Sequence, residues 1–262
     1  MKKVFYLFFI TIFVTTLTSC TAESEDTTQD KLVKKIIELN QDGTSSTFNF
    51  TYNGEKIISI ESEETSKKFT YFGNLITQII ELNKTTQVQT TFDYFYTNDL
   101  LTKVISSDNY TLNYTHQADG TIAYEKTTID SNSNIVLLFK GTISMDLNNI
   151  VNDKKTFENN YTKIVSKEEL NFSHDSKRNP FYNIIGFAKL LDYSKIISVN
   201  NATSFIEVSS MTNLETEQIT SSLRQNINTL KYNDFGYPEE IISDKFVFEN
   251  QKQNHLKSLF FY

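Results

Sequence analysis

The 262-residue sequence holds one cysteine, two prolines, seven glycines and no tryptophan. A single cysteine excludes an internal disulfide and any metal site built on several thiolates. So few glycines and prolines exclude a collagen-like chain or a flexible Gly/Pro linker. No GxGxxG and no phosphate-cradling P-loop occurs. An excess of positive charge is missing as well. Lys and Arg number 25 against 32 Asp and Glu, a net charge of −7, which argues against a polybasic nucleic-acid binder. No second run of eighteen apolar residues follows the N-terminal one, from which we expect that the rest of the chain does not cross a membrane. What is abundant is aromatic: 14 Tyr and 21 Phe within a hydrophobic content of 39% supply enough apolar mass for a core. The length suits one large domain or two small ones.

The N-terminus reads as an address. Lys2 and Lys3 precede the apolar run Val4 to Val14, which is short for a bilayer span and right for a signal-peptide core. Leu17-Thr18-Ser19-Cys20 then resembles the bacterial lipobox, in which the cysteine is lipidated and becomes the mature N-terminus. Residues 1–19 are thus expected to be a lipoprotein signal peptide, with Cys20 acylated and membrane lipid as its partner. Cleavage there removes two lysines and no acid, leaving 23 basic and 32 acidic side chains and a net charge of −9. More than one acyl chain, at about 0.8 kcal/mol per buried methylene, makes a stable anchor. Residues 20–30 are polar and acidic after the cysteine and free of aromatics, and are expected to be a flexible tether. Thr21 in place of Asp departs from the inner-membrane retention signal. Glu23, Glu25 and Asp26 resemble the surface-export signal of Bacteroidota lipoproteins.

Residues 31–262 repeat one short pattern: apolar, any residue, aromatic, then turn formers. Its copies are Phe50-Thr51-Tyr52-Asn53-Gly54, Phe69-Thr70-Tyr71-Phe72-Gly73-Asn74, Tyr94-Phe95-Tyr96-Thr97-Asn98-Asp99, Leu112-Asn113-Tyr114-Thr115-His116, Leu170-Asn171-Phe172-Ser173-His174-Asp175 and Leu230-Lys231-Tyr232-Asn233-Asp234-Phe235-Gly236. Phe260-Phe261-Tyr262 is a last copy without a turn. Alternation puts both apolar positions of a copy on one strand face. Asn-Gly and Gly-Asn supply the positive φ that tight hairpins need, and five glycines (43, 54, 73, 120, 236) stand at such turns. Apolar strand-like segments such as Lys56 to Ile60 and Leu75 to Ile79 often follow. Tandem units of this kind bury a face only by pairing with neighbours. The prediction is an all-β domain over 31–262: a long twisted antiparallel meander of repeated hairpins, forming an open curved sheet or half-barrel. The pattern is weakest over 125–170 and 200–227.

Tyr232-Asn233-Asp234-Phe235-Gly236 resembles the YD repeat of Rhs-type proteins, and Tyr52-Asn53-Gly54 and Tyr71-Phe72-Gly73-Asn74-Leu75-Ile76 resemble weaker forms. The aspartate directly after the tyrosine is missing, and no toxin domain follows. Lipobox and Tyr/Asn/Gly hairpins together also resemble a class of uncharacterised Bacteroidota surface lipoproteins. The Rhs resemblance implies a shell that could wrap a polypeptide; the lipoprotein class implies no assigned activity.

One segment departs from the hairpin pattern. Asn179 to Leu191 has helical spacing, with Phe181, Ile184, Ile185, Ala188 and Leu191 as one stripe, Asn179 as cap and Pro180 at the first helical position. It predicts a short helix near 180–191 that covers an open face or end of the sheet, or acts as a lid. Leu214 to Leu223 is a weaker candidate helix or a polar loop, and Leu32 to Leu39 is read as a strand.

Chemistry-bearing residues are sparse. His116 and His174 occupy the same place in two copies, which repeat symmetry explains without a metal; His255 is the third histidine, and no HExxH is present. There is no GxSxG elbow. Glu63-Glu64, Glu168-Glu169 and Glu239-Glu240 are sequence neighbours, which a strand points to opposite faces. Asp130-Ser131-Asn132-Ser133-Asn134 lacks the glycine and closing glutamate of a calcium loop and reads as a solvated turn. The tyrosines are expected in the core or in cross-strand ladders, with stacking on sugar rings or a partner as the functional alternative. No cofactor, metal or catalytic residue is assigned, and Cys20 is the only site residue.

These features lead to an expected non-enzymatic binding or structural module. It is lipid-anchored in the outer membrane through Cys20, facing the periplasm or the cell surface, and its partner is a glycan or a protein. The alternatives are a polysaccharide-processing accessory or hydrolase, and the Rhs-like shell. A binding module predicts exposed tyrosines along one sheet face. A shell predicts an inward-curving sheet with a polar lining. An enzyme predicts a pocket where Asp, Glu or His converge.

Overall fold

The computed structural model describes residues 32–159, 161–247 and 251–262. The predicted signal peptide, Cys20 and the tether lie outside these residues. Sixteen strands follow in order: β1 Lys35–Asn40, β2 Ser45–Asn53, β3 Lys56–Glu61, β4 Thr65–Phe72, β5 Leu75–Asn83, β6 Gln89–Thr97, β7 Leu100–Ser106, β8 Tyr110–His116, β9 Ile122–Ile129, β10 Ile135–Asp146, β11 Asn149–Asn159, β12 Ile164–Arg178, β13 Asn200–Asn213, β14 Ile219–Tyr232, β15 Pro238–Val247 and β16 Gln251–Phe261. Each pairs antiparallel with its sequence neighbour, as a meander of hairpins must.

Four of the copies, those at Tyr52, Tyr71, Tyr96 and Tyr232, share one local geometry, which the Tyr114 and Phe172 copies lack. Gly54, Gly73 and Gly236 take φ of 59°, 58° and 80°, and in the third copy Asn98 and Asp99 take 50° and 61°. Immediately before the anchor tyrosine the register slips by one residue: at Thr51/Tyr52, Thr70/Tyr71, Phe95/Tyr96 and Lys231/Tyr232. A bulge at that place bends and twists the hairpin and turns the anchor inward. The anchor hydroxyls then find backbone acceptors near the same rim. Tyr52 donates to the Val33 carbonyl at 2.7 Å, Tyr96 to Ile76 at 2.8 Å and Tyr262 to Pro238 at 2.9 Å. Tyr71 donates to Ile185 at 3.2 Å.

The sheet does not stay open. β1 pairs with β16 from Lys35↔Phe261 to Asn40↔Leu256, which closes the sixteen strands into a barrel. The predicted open sheet or half-barrel is therefore corrected to a closed barrel, while the all-β class stands. The cause is geometric. Regularly spaced bulges and right-handed twist curl a long meander until its first and last strands meet, and closure removes both edges. The Leu32 to Leu39 strand is present as β1. Leu214 to Leu223 is not a helix, since a turn carries the chain into β14 at Ile219.

The predicted helix at 180–191 is also corrected. Residues 179–199 form a string of turns with two single 3₁₀ turns, Phe187–Lys189 and Leu191–Tyr193. The apolar spacing is used, but by a coiled segment packed from several sides. Ile184, Phe187, Leu190, Leu191 and Ile197 are all buried. Asn179 does cap the entry, its Oδ1 accepting the Phe181 N–H at 2.8 Å. The segment crosses the barrel end at which β1 begins and β16 ends. Ile185 N–H donates to Glu55 carbonyl at 3.0 Å, Lys189 Nζ to Asp99 carbonyl at 2.7 Å and Val199 N–H to Asn148 carbonyl at 3.4 Å. It is a plug, and with Ile57, Ile76, Leu101, Ile143 and Ile150 it makes the core.

Cross-strand partners share a face, so the register separates inside from outside. Tyr124 faces in, where it meets Asp153 from β11. Glu125 therefore faces out, where Lys140 lies 3.6 Å away. Outward groups continue round the wall. Gln78 donates to Asp93 at 2.7 Å, Lys154 pairs with Glu169 at 3.4 Å, and Glu240 takes Lys231 at 2.7 Å and Lys257 at 2.5 Å. Apolar outward side chains stand on β5 to β7 (Ile80, Phe95, Ile105) and on β13 to β15 (Ile206, Val208, Leu223, Ile227, Ile242), interspersed with polar and charged ones such as Asp93, Lys103 and Asp244. A lipid-facing band would have to be apolar round the whole circumference, and each basic side chain near its middle costs about 2–4 kcal/mol. Among the described residues, the charged pairs leave no such continuous band on the outer wall.

A candidate ligand cavity above the plug

Sixteen strands enclose more space than side chains alone fill. Here the plug fills the lower lumen and forms the floor of a cavity of about 350 Å³. Tyr110, Tyr114, Tyr124, Phe92 and Phe139 supply its walls, and Lys67, Glu81, Lys126, Asp153 and Lys155 come from the strands around it. Asp192, Tyr193 and Ser194 rise from the plug. Tyr114 stacks on Tyr124 at 5.7 Å, and Tyr124 meets Phe139 edge-on at 5.8 Å. Gly141 makes that arrangement possible: a Cβ there would stand 2.2 Å from the Tyr124 ring.

Plug and wall are stitched together by polar bonds at the cavity floor. Tyr94 hydroxyl donates to Asp192 Oδ2 at 2.8 Å. Tyr193 hydroxyl donates to Glu81 Oε1 at 3.0 Å, and Lys67 also pairs with that oxygen. Asp153 accepts Tyr124 hydroxyl at 2.6 Å and Ser194 hydroxyl at 3.2 Å. Burial pushes the hydroxyls of Tyr94, Tyr114, Tyr124 and Tyr193 well above the ordinary phenol range, so they stay neutral donors. Burial also lifts the Asp192 carboxyl to about 6, against the pull of the Tyr94 hydrogen bond. Its Oδ1 has no hydrogen-bond partner among the described residues.

Two cations stand apart from this network. Lys126 lies over the Tyr110 ring with Nζ 3.6 Å from the centroid, and Lys155 over Phe139 at 5.8 Å. Burial first, and then Lys155, hold the Lys126 ammonium below its usual range, against a smaller upward pull from Asp108.

The residues singled out from sequence go elsewhere. His116 Nε2 lies 2.9 Å from the Leu101 carbonyl, His174 packs its ring against Phe172, and His255 Nδ1 lies 2.7 Å from Asp244. They stand on β8, β12 and β16, and no group of three possible metal ligands exists among the described residues. Glu169 faces out to Lys154, and its neighbour Glu168 takes the opposite face, as adjacent strand positions must. Asp130 Oδ1 accepts its own turn's N–H groups from Asn132 and Asn134, at 2.9 and 2.8 Å, so this is the solvated turn expected. Most of the described tyrosines line the inside, with Tyr52, Tyr71, Tyr96 and Tyr262 at the plugged rim and Tyr110, Tyr114 and Tyr124 in the cavity wall, while Tyr161 and Tyr182 are exposed.

Sequence reasoning missed Lys67, Glu81, Lys126, Asp153, Lys155 and Asp192. A signal existed for three of them. Lys67 in Lys67-Lys68-Phe69, Lys126 in Tyr124-Glu125-Lys126 and Lys155 in Lys155-Thr156-Phe157 sit two residues from an inward aromatic, which fixes their face. The others depend on where the plug lands.

No family model matches this chain, and no curated protein matches it. Solved structures do. The crystal structure of a porin-like protein from Bacteroides vulgatus superimposes with a TM-score of 0.53 at 14% identity, over 88% of this chain and 98% of that one. A porin-like protein from Bacteroides uniformis gives a TM-score of 0.42 at 10% identity, over 87% and 95%. The first likeness is one of fold, a closed antiparallel barrel.

Proposed function

We propose that this chain is a lipid-tethered outer-membrane protein of the Bacteroidota surface-lipoprotein class. In this proposal its barrel stands in water beside the membrane and holds a small ligand in its plugged lumen, without acting on it chemically. The observation that carries this is the inversion of a pore's architecture. Charged pairs occupy the outer wall, while the lumen is floored by the chain's own residues 179–199 and lined by aromatics and fixed polar groups. Concave, mostly apolar cavities with a few convergent polar groups are what small-ligand sites look like. The lipobox supports the tether, and the barrel likeness is consistent with the setting.

Membrane fractionation tests this with the full-length chain carrying its own leader. The wild type should need detergent for release. Cys20→Ala should appear in the soluble fraction, folded and monodisperse. A Cys20→Ala protein that still required detergent would overturn both the tether and the water-facing wall.

A hydrolase is the second reading, favoured by one observation: Asp192, Glu81 and Asp153 converge on a single cavity, and the Asp192 carboxyl is raised toward neutrality, as a general acid requires. Against it, Asp153 and Glu81 are already engaged by Tyr124, Ser194, Tyr193 and Lys67. Release of reducing ends from acidic oligosaccharides, lost in Asp192→Asn, would establish that reading and displace the binding one.

A further inference from the structure

We propose that the cavity takes a ring-bearing organic carboxylate of the size of a uronic acid, with its carboxylate held between Lys126 and Lys155. This rests on reading the lumen as a ligand site. The register places both lysines on the inner face of three adjacent strands: Lys126 pairs with Phe139 across β9 and β10, and Lys155 with Gly141 across β10 and β11. Gly141, the cross-strand neighbour of Lys155, has no side chain, and the Tyr124 ring packs over it between the two lysines' strands.

Among the described residues, neither ammonium has a carboxylate within ion-pair distance or an acceptor within hydrogen-bond distance: each lies over a ring, with Glu168 as the cross-strand neighbour of Lys155 and Asp108 acting on Lys126 from beyond ion-pair distance. An aromatic face satisfies one side of an ammonium and leaves its N–H donors unused. Two like charges held together in a partly buried cavity repel each other, and an anion between them relieves that.

The rest of the cavity defines what the anion is attached to. Tyr110, Tyr114, Tyr124 and Phe92 offer ring faces, which favour a flat or pyranose ring over a bare inorganic ion. Acceptors remain for ligand hydroxyls. Glu81 spends Oε1 on Lys67 and Tyr193, and among the described residues no hydrogen bond reaches its Oε2. A cavity of about 350 Å³ lies at the small end of the about 300–1,000 Å³ typical of ligand pockets, which suits a single ring.

The experiment is calorimetric titration of the Cys20→Ala full-length protein with five probes: D-glucuronate, benzoate, D-glucose, phenol and inorganic phosphate. Glucuronate or benzoate should bind, and Lys126→Met with Lys155→Met should weaken that binding at least about tenfold, the loss expected for a charge-assisted contact. Lys126→Arg should restore most of it. Circular dichroism checks that the Met variants fold; their thermal stability should match or exceed the parent, because a desolvated like-charge pair is gone. Glucuronate favoured over benzoate would identify the sugar acid as the source of the carboxylate, and the reverse an aromatic acid. Phosphate binding as well as either would overturn the ring. Glucose or phenol binding that ignores the lysine substitutions would overturn the carboxylate and leave lumen binding standing. Silence of all five would overturn both.

Discussion

Asp192 sits on the plug with one oxygen taken by Tyr94 and the other without a partner. Its carboxyl, lifted by burial from 3.8 to about 6, makes the folded state hold a proton that the unfolded chain has already released. The effect on stability therefore runs one way. Below about pH 4 both states are protonated and the group is neutral in effect; between about 4 and 6 stability falls as pH rises, and above about 6 the loss is complete. A carboxyl displaced that far destabilises the fold by on the order of 2–3 kcal/mol once it ionises. Urea titrations of wild type and Asp192→Asn between pH 4 and pH 7.5 should show this decline in the wild type and a flatter profile in the variant. Parallel profiles would contradict it. Gly141 gives a second residue-scale expectation. Gly141→Ala forces Tyr124 off Asp153, since its Cβ would meet the ring at 2.2 Å. Overpacking of this kind costs about 1–3 kcal/mol, readable as a lower urea midpoint at unchanged slope.

Among elements, the plug carries the most. Leu190 is fully buried in its middle. Leu190→Ala should cost about 2–5 kcal/mol, and hydrogen exchange should locate the loss in residues 179–199 and the rim hairpins they touch. Unchanged protection there would show that the segment lies against the barrel without supporting it. Much of the hairpin layer was legible in the sequence. The copies at Tyr52, Tyr71, Tyr96 and Tyr232 specify strand, inward anchor and turn with local chemistry alone, and all four carry the same bulge. The plug was legible as an apolar segment and misread as a helix. The 3.6-residue spacing of Phe181, Ile184 and Leu191 records burial; it does not record that burial comes from several directions, which a turn-rich coil meets as well as a helix does.

For the whole molecule, closure is the property that no local pattern encodes. It depends on β1 meeting β16 across almost the full length of the described chain, and on the long strands β10 to β16, where the aromatic repeat fades and the strands reach fifteen residues in β12. The absence of a second long apolar run was likewise a rule for helices, and a barrel needs a different one: the polarity of alternate residues on the outer face. By that rule Glu125–Lys140, Lys154–Glu169 and Lys231–Glu240–Lys257 support the water-facing wall proposed above. The candidate cavity was the least legible part, because Asp192 and Ser194 reach Tyr94 and Asp153 only once the barrel has closed around the plug.

Labelling of engineered cysteines on the outer wall tests this most directly. The sequence has only Cys20, which acylation would block, so Lys103→Cys on β7 and Thr115→Cys on β8, both exposed, would be read against a silent background. In permeabilised cells a charged, membrane-impermeant maleimide should modify both positions rapidly while the protein remains membrane-bound. Protection of both from that reagent, with modification only by a lipid-soluble one, would put the wall in the bilayer and contradict the account.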